Sequence, residues 1–398
     1  MSMLDKLLEE VDVRWESLED ISEVGTGSSN RKDENENGQY PFYVRSKKIL
    51  KSNTFQFDET AIIIPGEGGI GDIFHYVKGK YALHQRAYRI KIIVDNLDSK
   101  FLYYYMCDHF KMYIIAKSVG ATSISIRKPM IQKFQIPIPC PDNTEKSLKI
   151  QREIVRVLDT FTELTNELTN EHTARKKQFE YYREQLLTFD KKEVKHLPMN
   201  DENIGEFIRG KRFVKTDMVS KGVPCIHYGE MYTYYGTWAD KTKSFVSKEL
   251  VERKKLRSAE KGDVVIVAAG ETIEEIGQGT AWLGDEGVVI HDACFYYKSD
   301  LNPKYVAYFT RTRQFHDQIK KHIRTGKISA INAKGLGKAV IPIPSPEEQK
   351  RIVSILDKFD VLTTSISEGL PKEIKLRKKQ YEYYRNKLLT FPKDTVEA

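Results

Sequence analysis

The glycine-rich stretch GEGGIG at 66–71 is the first place in this sequence where spacing could serve chemistry. It fits GxGxxG and follows the strand-like run AIII at 61–64. A dinucleotide fingerprint requires a helix next, with a phosphate at its N-terminus, and an acidic residue about 20 positions on. The residues that follow, DIFHYVKGKYALH, are aromatic and β-branched with no helical face, so the spacing predicts a glycine turn between strands. Asp95, Asp98 and Lys100 carry the residue types of a metal-dependent nuclease, but the triplet is a common one and lies in a turn. Ser, His and Cys are scattered without a nucleophile elbow or other triad signature. Cys107, Cys140, Cys225 and Cys294 form no CxxC pair, and no histidine is spaced to complete a zinc site. Four reduced thiols, no metal site, no catalytic residue and no cofactor in this chain are therefore expected.

Binding remains. The 398 residues suffice for two or three domains, and 40% apolar with 30% charged residues is ordinary for a soluble globular protein. Lys plus Arg exceed Asp plus Glu by 64 − 56 = 8, a balance that suits a polyanionic partner. No apolar run reaches the ~18–20 residues that span a membrane, and no signal peptide opens the chain, so a cytoplasmic protein is expected.

The elements that must position any binding residues come in two copies. Around 136 the chain reads IPIP, runs through QREIVRVLDTF and closes on RKKQFEYYREQLLTF. Around 341 it reads IPIP again, then QKRIVSILDKF and RKKQYEYYRNKLLTF. An internal repeat fixes architecture before any local reading. Upstream of each copy, short β-branched and aromatic runs alternate with Gly- and Asn-rich turns, the texture of strands. There ISEVGTGS at 21–28 aligns with IGEFIRGK at 204–211. Gly27 pairs with Gly210 and Pro41 with Pro224, both 183 apart (210 − 27 and 224 − 41). His84 and His291, 207 apart (291 − 84), each follow an apolar residue and lead into an aromatic strand, which predicts framework histidines.

The helical segments are nearly identical and strongly periodic. Ile150, Ile154, Val157, Phe161, Leu164 and Leu168 step 4-3-4-3-4, a heptad seam that Phe179, Tyr182, Leu186 and Phe189 resume after a phase shift. The second copy gives Ile352, Ile355, Phe359, Leu362 and Ile366, then Tyr381, Tyr384, Leu388 and Phe391. Gly369-Leu370-Pro371 has no counterpart in the first copy and should kink or break the second helix. Two such seams in one chain can bury each other, most simply as an antiparallel pair. A short lead-in helix is expected from Leu4, Leu7 and Leu8, and a helix over YVAYFTRTRQF after Asn302.

This layout resembles the specificity (S) subunits of type I restriction-modification systems. The resemblance covers essentially the whole chain. It rests on two globular regions each followed by a long helix, on the IPIP lead-ins, and on the endings YYREQLLTF at 181–189 and YEYYRNKLLTF at 381–391. It implies an α+β chain with two mixed α/β target-recognition domains. These are separated by two long conserved helices packed as an antiparallel coiled coil with pseudo-two-fold symmetry. The expected boundaries are 1–143 and 193–345 for the recognition domains, and 144–192 and 346–398 for the spacer helices. It further implies a non-catalytic subunit that docks two DNA-methyltransferase (M) subunits and, in the full complex, two restriction (R) subunits. S-adenosylmethionine, ATP and Mg would then act on those partners. A methyltransferase would itself need an Asn/Asp-Pro-Pro-aromatic tetrapeptide to take a flipped base; Asn302-Pro303-Lys304-Tyr305 lacks the second proline and predicts a turn before a helix. The rival class is a coiled-coil scaffold whose globular domains bind protein and not DNA.

On the implied reading, phosphates need Lys and Arg, and bases need polar side chains carried on loops into a groove. In the first domain the candidates are Ser28, Ser29, Asn30 and Arg31, then Arg45, Lys47 and Lys48, then Thr122, Ser123, Ser125, Arg127 and Lys128. In the second they are Lys211, Arg212 and Lys215, then His227 and Tyr228, then Lys320, Lys321, Arg324, Lys327, Ser329 and Asn332. The two late clusters occupy equivalent places, each just upstream of IPIP.

Overall fold

The computed structural model describes residues 11–69, 71–117, 125–365 and 368–392. The expected lead-in helix, and Thr122, Ser123 and Ile366, lie outside the described residues. The chain divides into two compact units. One is Met1–Leu168 together with Ile374–Ala398; the other is Thr169–Glu373.

In the first unit a six-stranded sheet runs in the order Ser22–Thr26, Ala87–Ile92, Phe57–Pro65, His75–Leu83, Tyr40–Tyr43, Leu50–Ser52. The central strand carries the AIII run, and both its faces are covered. Ile62 and Ile64 pack on the helix Ser99–Lys117, while Ala61 and Ile63 pack with Tyr43, Val77, Tyr81 and Leu83. Alternate side chains of a strand point to opposite faces, so a continuous apolar run marks a strand buried on both. The second unit repeats the device with VVIV: Val264 and Ile266 face one core, Val265 and Val267 the other. Its strands fall into two five-stranded sheets because the counterpart of His75–Leu83 is interrupted, as Gly279–Trp282 and Val288–Ile290.

The two offsets read from the sequence recur as strand registers. Phe42 lies opposite Ala82 in a parallel pair, and Cys225 lies opposite Val289 in a parallel pair. The separations are again 183 (225 − 42) and 207 (289 − 82). Each IPIP segment is an edge strand of a small antiparallel pair: Val13–Ser17 with Gln135–Pro139, and Lys195–Pro198 with Val340–Ile343.

The first long helix, Thr144–Leu186, is continuous over 43 residues. The second breaks into Pro346–Thr364 and Leu370–Leu389. A Cβ on Gly369 would come within 2.4 Å of the Val361 carbonyl oxygen, and Pro371 sits in the first turn of the last helix, where its missing N–H costs nothing. Packing is antiparallel in both units. In the first, Ile150, Ile154 and Leu158 share a core with Leu388, Leu389 and Phe391, and Phe161 stacks on Tyr384 at 5.1 Å. In the second, Phe179 and Tyr182 stack on Phe359, His172 Nε2 lies 2.8 Å from the Thr363 carbonyl oxygen, and Leu187 joins Ile352 and Leu356 in the core. Each unit is thus completed by the end of the other copy's helix.

The seam differs from the heptad reading in phase. Leu158 is fully buried while Val157 only flanks the core, and Leu164 is 38% exposed. Each helix half must face its own globular core as well as the other helix, and at 3.6 residues per turn that broader face selects 150, 154, 158 and 161. Likewise Leu187 and Leu356 are fully buried, whereas Leu186, Ile355 and Leu362 are half-buried. The helix expected over YVAYFTRTRQF is two helices, Pro303–Phe309 and Arg313–Lys320. The buried Thr312 hydroxyl separates them, donating to the Phe309 carbonyl and capping the Phe315 N–H. Among the described residues no helix is long and apolar enough to cross a membrane.

Candidate nucleic-acid interface

In the first unit the loops at 27–34, 44–48, 66–69 and 84–86 converge on a cavity of about 330 Å³ lined by Arg31, Arg45, Ser46, Glu67, Gly68 and His84. The His84 Nδ1 accepts the Arg86 N–H at 3.0 Å, which closes the turn. Burial, then Arg45 and Arg86, depress its pKa and hold the ring neutral as that acceptor requires. Glu67 bridges Arg45 (2.9 Å) and Arg86 (3.2 Å), and these guanidiniums, Arg86 foremost, hold its carboxyl below the usual range. Arg31, Lys47 and Lys48 are exposed on the rim. Ser29 is buried, with its hydroxyl 2.6 Å from the Gln56 amide and its N–H on the Leu83 carbonyl, so it is framework and not a contact surface. Ser28 lies 3.0 Å from the same amide, and the Asn30 N–H donates to Asp33 to open a 3₁₀ turn. The Ile126 N–H binds the Gly66 carbonyl at 2.9 Å, which places Ser125, Arg127 and Lys128 beside the glycine turn; Arg127 and Lys128 are exposed. The four glycines of GEGGIG lie in that turn between strands, with positive φ at Gly68, Gly69 and Gly71.

The second unit builds an equivalent cluster. Its cavity, about 260 Å³, is lined by Arg209, Tyr228, Glu271, His291, Asp292 and Ile328, among others. His291 Nδ1 accepts the Ala293 N–H at 3.1 Å, the same turn that His84 makes. His227 is 5% exposed and caps the helix Tyr228–Thr233 through the Gly229 N–H, so it too is framework; Tyr228 beside it is 36% exposed. Arg212 and Lys215 are exposed, Lys211 half so, and the Val214 N–H donates to Asp217 as Asn30 does to Asp33. Lys320, Lys321, Arg324 and Lys327 are all exposed. Ser329 is buried in a strand pair with Gly270, and Asn332 caps Ala333–Gly337 through the Gly335 N–H at 2.8 Å. Of the candidates, Arg31 and Arg45 line the first cavity and Tyr228 the second; Ser29, His227 and Ser329 are buried, whereas Asn332 is exposed while it caps its helix.

A matched polar lock escaped the sequence reading. Asp159 accepts from Lys100 Nζ and from the Tyr104 hydroxyl, both at 2.6 Å; Asp357 accepts from Lys304 Nζ and the Tyr308 hydroxyl, both at 2.7 Å. Gln151 accepts the Asp98 N–H and Gln349 the Asn302 N–H, at 2.7 and 2.9 Å. Asp98 caps a helix through the N–H groups of Lys100 and Phe101, as Asn302 does through Lys304 and Tyr305, so two members of the nuclease-like triplet, Asp98 and Lys100, have structural roles. The signal was present: both helical motifs hold Gln and Asp at one spacing, 151 to 159 and 349 to 357. Asp357→Ala should destabilise the second unit by about 2–4 kcal/mol, because it strands a buried hydroxyl and a largely buried ammonium. Thermal unfolding checks this, and Asp357→Asn, which keeps an acceptor, should lose less; equal losses would show that the hydrogen bonds do not matter. Among the described residues no His, Cys, Asp and Glu side chains cluster for a metal.

Comparison with known proteins gives the same outline. The model of the type I restriction modification DNA specificity domain matches twice, at 11–176 and 200–376. The specificity subunit of the type I restriction enzyme EcoR124I/EcoR124II of Escherichia coli is 32% identical, over 99% of this chain and 98% of that protein. A Haemophilus influenzae protein named as a type I restriction enzyme specificity subunit is 31% identical, over 98% of each. The crystal structure of a type I restriction-modification S subunit from M. genitalium shares the fold, with a TM-score of 0.57 at 16% identity over 99% of this chain and all of that one. Two matched recognition frames, their exchanged helix ends and these full-length relatives place the chain in the family of type I restriction-modification DNA specificity subunits, which are not themselves catalytic.

Proposed function

We propose that each loop cluster reads one half of a bipartite double-stranded DNA site, with 1–143 and 193–345 as the recognition domains. The helices at 144–192 and 346–398 set the gap between half-sites and dock two methyltransferase subunits; restriction subunits join in the full complex. S-adenosylmethionine, ATP and Mg act on those partners, in the cytoplasm. One observation carries the reading: the frames match in register, histidine turns and polar locks, while the side chains presented on them differ. By the offset of 183, Val44 and Arg45 stand where His227 and Tyr228 stand in the other unit. A shared frame with unlike tips is what two readers of unlike sequences require. The contacts proposed are the exposed and half-exposed candidates: Ser28, Asn30, Arg31, Arg45, Lys47, Lys48, Ser125, Arg127 and Lys128 in one unit, Lys211, Arg212, Lys215, Tyr228, Lys320, Lys321, Arg324, Lys327 and Asn332 in the other.

The test is the methylome of a host expressing the chain with its methyltransferase. Removing two helical turns, about 11 Å, from both spacers should shorten the gap by about three base pairs and leave both half-sites unchanged. A change in half-site sequence would overturn the division of labour.

A further inference from the structure

Ile328 is 63% exposed, on the hairpin at 324–330. A single exposed isoleucine is unremarkable on a protein surface, but three features set this one apart. First, the backbone beneath it is pinned. Arg324 and Ala330 exchange both backbone hydrogen bonds, at 2.8 and 2.9 Å, and Ser329 and Ala330 pair with Gly270 and Ala269. The next N–H, of the buried Ile331, donates to the Ala268 carbonyl at 2.8 Å. A side chain on so short and anchored a loop is held outward instead of folding back. Second, its surroundings are cationic: Arg324 and Lys327 in the same loop, Lys320 and Lys321 just before it, all exposed. Third, it walls the same cavity as Tyr228 and His291, where the second unit's loops converge.

Resting on the reading of this cluster as the DNA interface, we propose that Ile328 is a specificity-determining residue that contacts the C5-methyl group of one thymine in the half-site read by the second unit. The major groove of B-DNA admits an element as wide as a two-stranded ribbon, so this loop, closed by the single Arg324–Ala330 bridge, can enter it, and the thymine methyl is the apolar group that the base pairs display there. The flanking lysines and arginines meet phosphates, which position the ribbon but carry no sequence. Ile328 supplies what they lack, a contact that distinguishes one base.

The experiment measures duplex binding by the full chain with its methyltransferase, on the methylome-defined site and on duplexes with each thymine of the second half-site replaced by deoxyuridine, which lacks only that methyl. At one position the replacement should weaken binding about threefold to tenfold, the size expected from burying one methyl group. Ile328→Ser should weaken binding to the thymine duplex by a similar factor and abolish the difference between thymine and uracil there. Ile328→Val should retain most of it, and the first half-site should be read unchanged by all variants. Additive losses from Ile328→Ser and from every deoxyuridine duplex would overturn the proposal, as would a half-site without an A·T pair. Absence of any sequence-specific, salt-dependent binding by the wild-type complex would overturn both this assignment and the DNA reading beneath it.

Discussion

Replacing Leu388 and Leu389 together by alanine is expected to unfold the N-terminal unit and leave the rest of the chain folded. Both side chains are fully buried, in a core that contains Phe101, Ile136, Ile150, Ile154 and Leu158. Deleting a buried leucine to alanine costs about 2–5 kcal/mol, and two together approach the whole stability of an ordinary domain, about 5–15 kcal/mol. The same segment places Arg385 Nε 2.7 Å from Asp108, and the carbonyl of Pro392 accepts from Trp15 Nε1 at 3.1 Å. The reciprocal pair, Phe179→Ala with Leu187→Ala, should instead unfold Thr169–Glu373, because those side chains belong to its core. Amide hydrogen exchange resolved along the sequence reads both outcomes. If the Leu388/Leu389 variant lost protection only in the last helix, that helix would be an appendage of the chain end and not part of the N-terminal core.

The repeat made much of this legible. AIII and VVIV announce doubly covered strands because a strand buried on both faces has no room for polar alternation. The offsets of 183 and 207 reappear as registers because a β-ladder preserves residue spacing on either side of an insertion. The helix phase was not legible: a heptad seam describes a helix facing one partner, whereas Leu158 must satisfy a globular core as well as a helix. The exchange of helix ends was hidden for a related reason. RKKQFEYYREQLLTF and RKKQYEYYRNKLLTF are so alike that neither sequence says which core it completes. Among the candidate contacts, residue type could not separate exposed side chains from buried supports. Ser29, His227 and Ser329 carry the chemistry of base readers, yet the Ser29 hydroxyl meets Gln56, His227 accepts from Gly229, and Ser329 is buried in a strand pair. Ile328 is hidden in the sequence for the opposite reason: an apolar side chain signals core, whereas this one is exposed.

Gly27→Ala should unfold the first unit alone and Gly210→Ala the second alone. These glycines are matched because each lies where one chain segment crosses hard against the strand that ends at a framework histidine. A Cβ on Gly27 would stand 1.8 Å from the Leu83 carbonyl oxygen, and one on Gly210 would stand 2.3 Å from the carbonyl oxygens of both Ile290 and His291. These obstacles are backbone, so no side-chain rotation relieves them. The strand would have to move by more than 1 Å, breaking the bonds Ser29 N–H to Leu83 and Lys211 N–H to Ile290 that hold the recognition loops. The expected cost is about 4 kcal/mol or more, in the range that single substitutions reach only by such mechanisms. Hydrogen exchange should show protection lost in one unit and kept in the other. Duplex binding should show the corresponding loss, one half-site no longer discriminated while the other still is. A Gly27→Ala protein with native protection in the first unit would mean that this crossing is looser than the close approach of Gly27 to Leu83 requires. The matched glycines would then mark common descent of the two copies and not a steric demand of the frame.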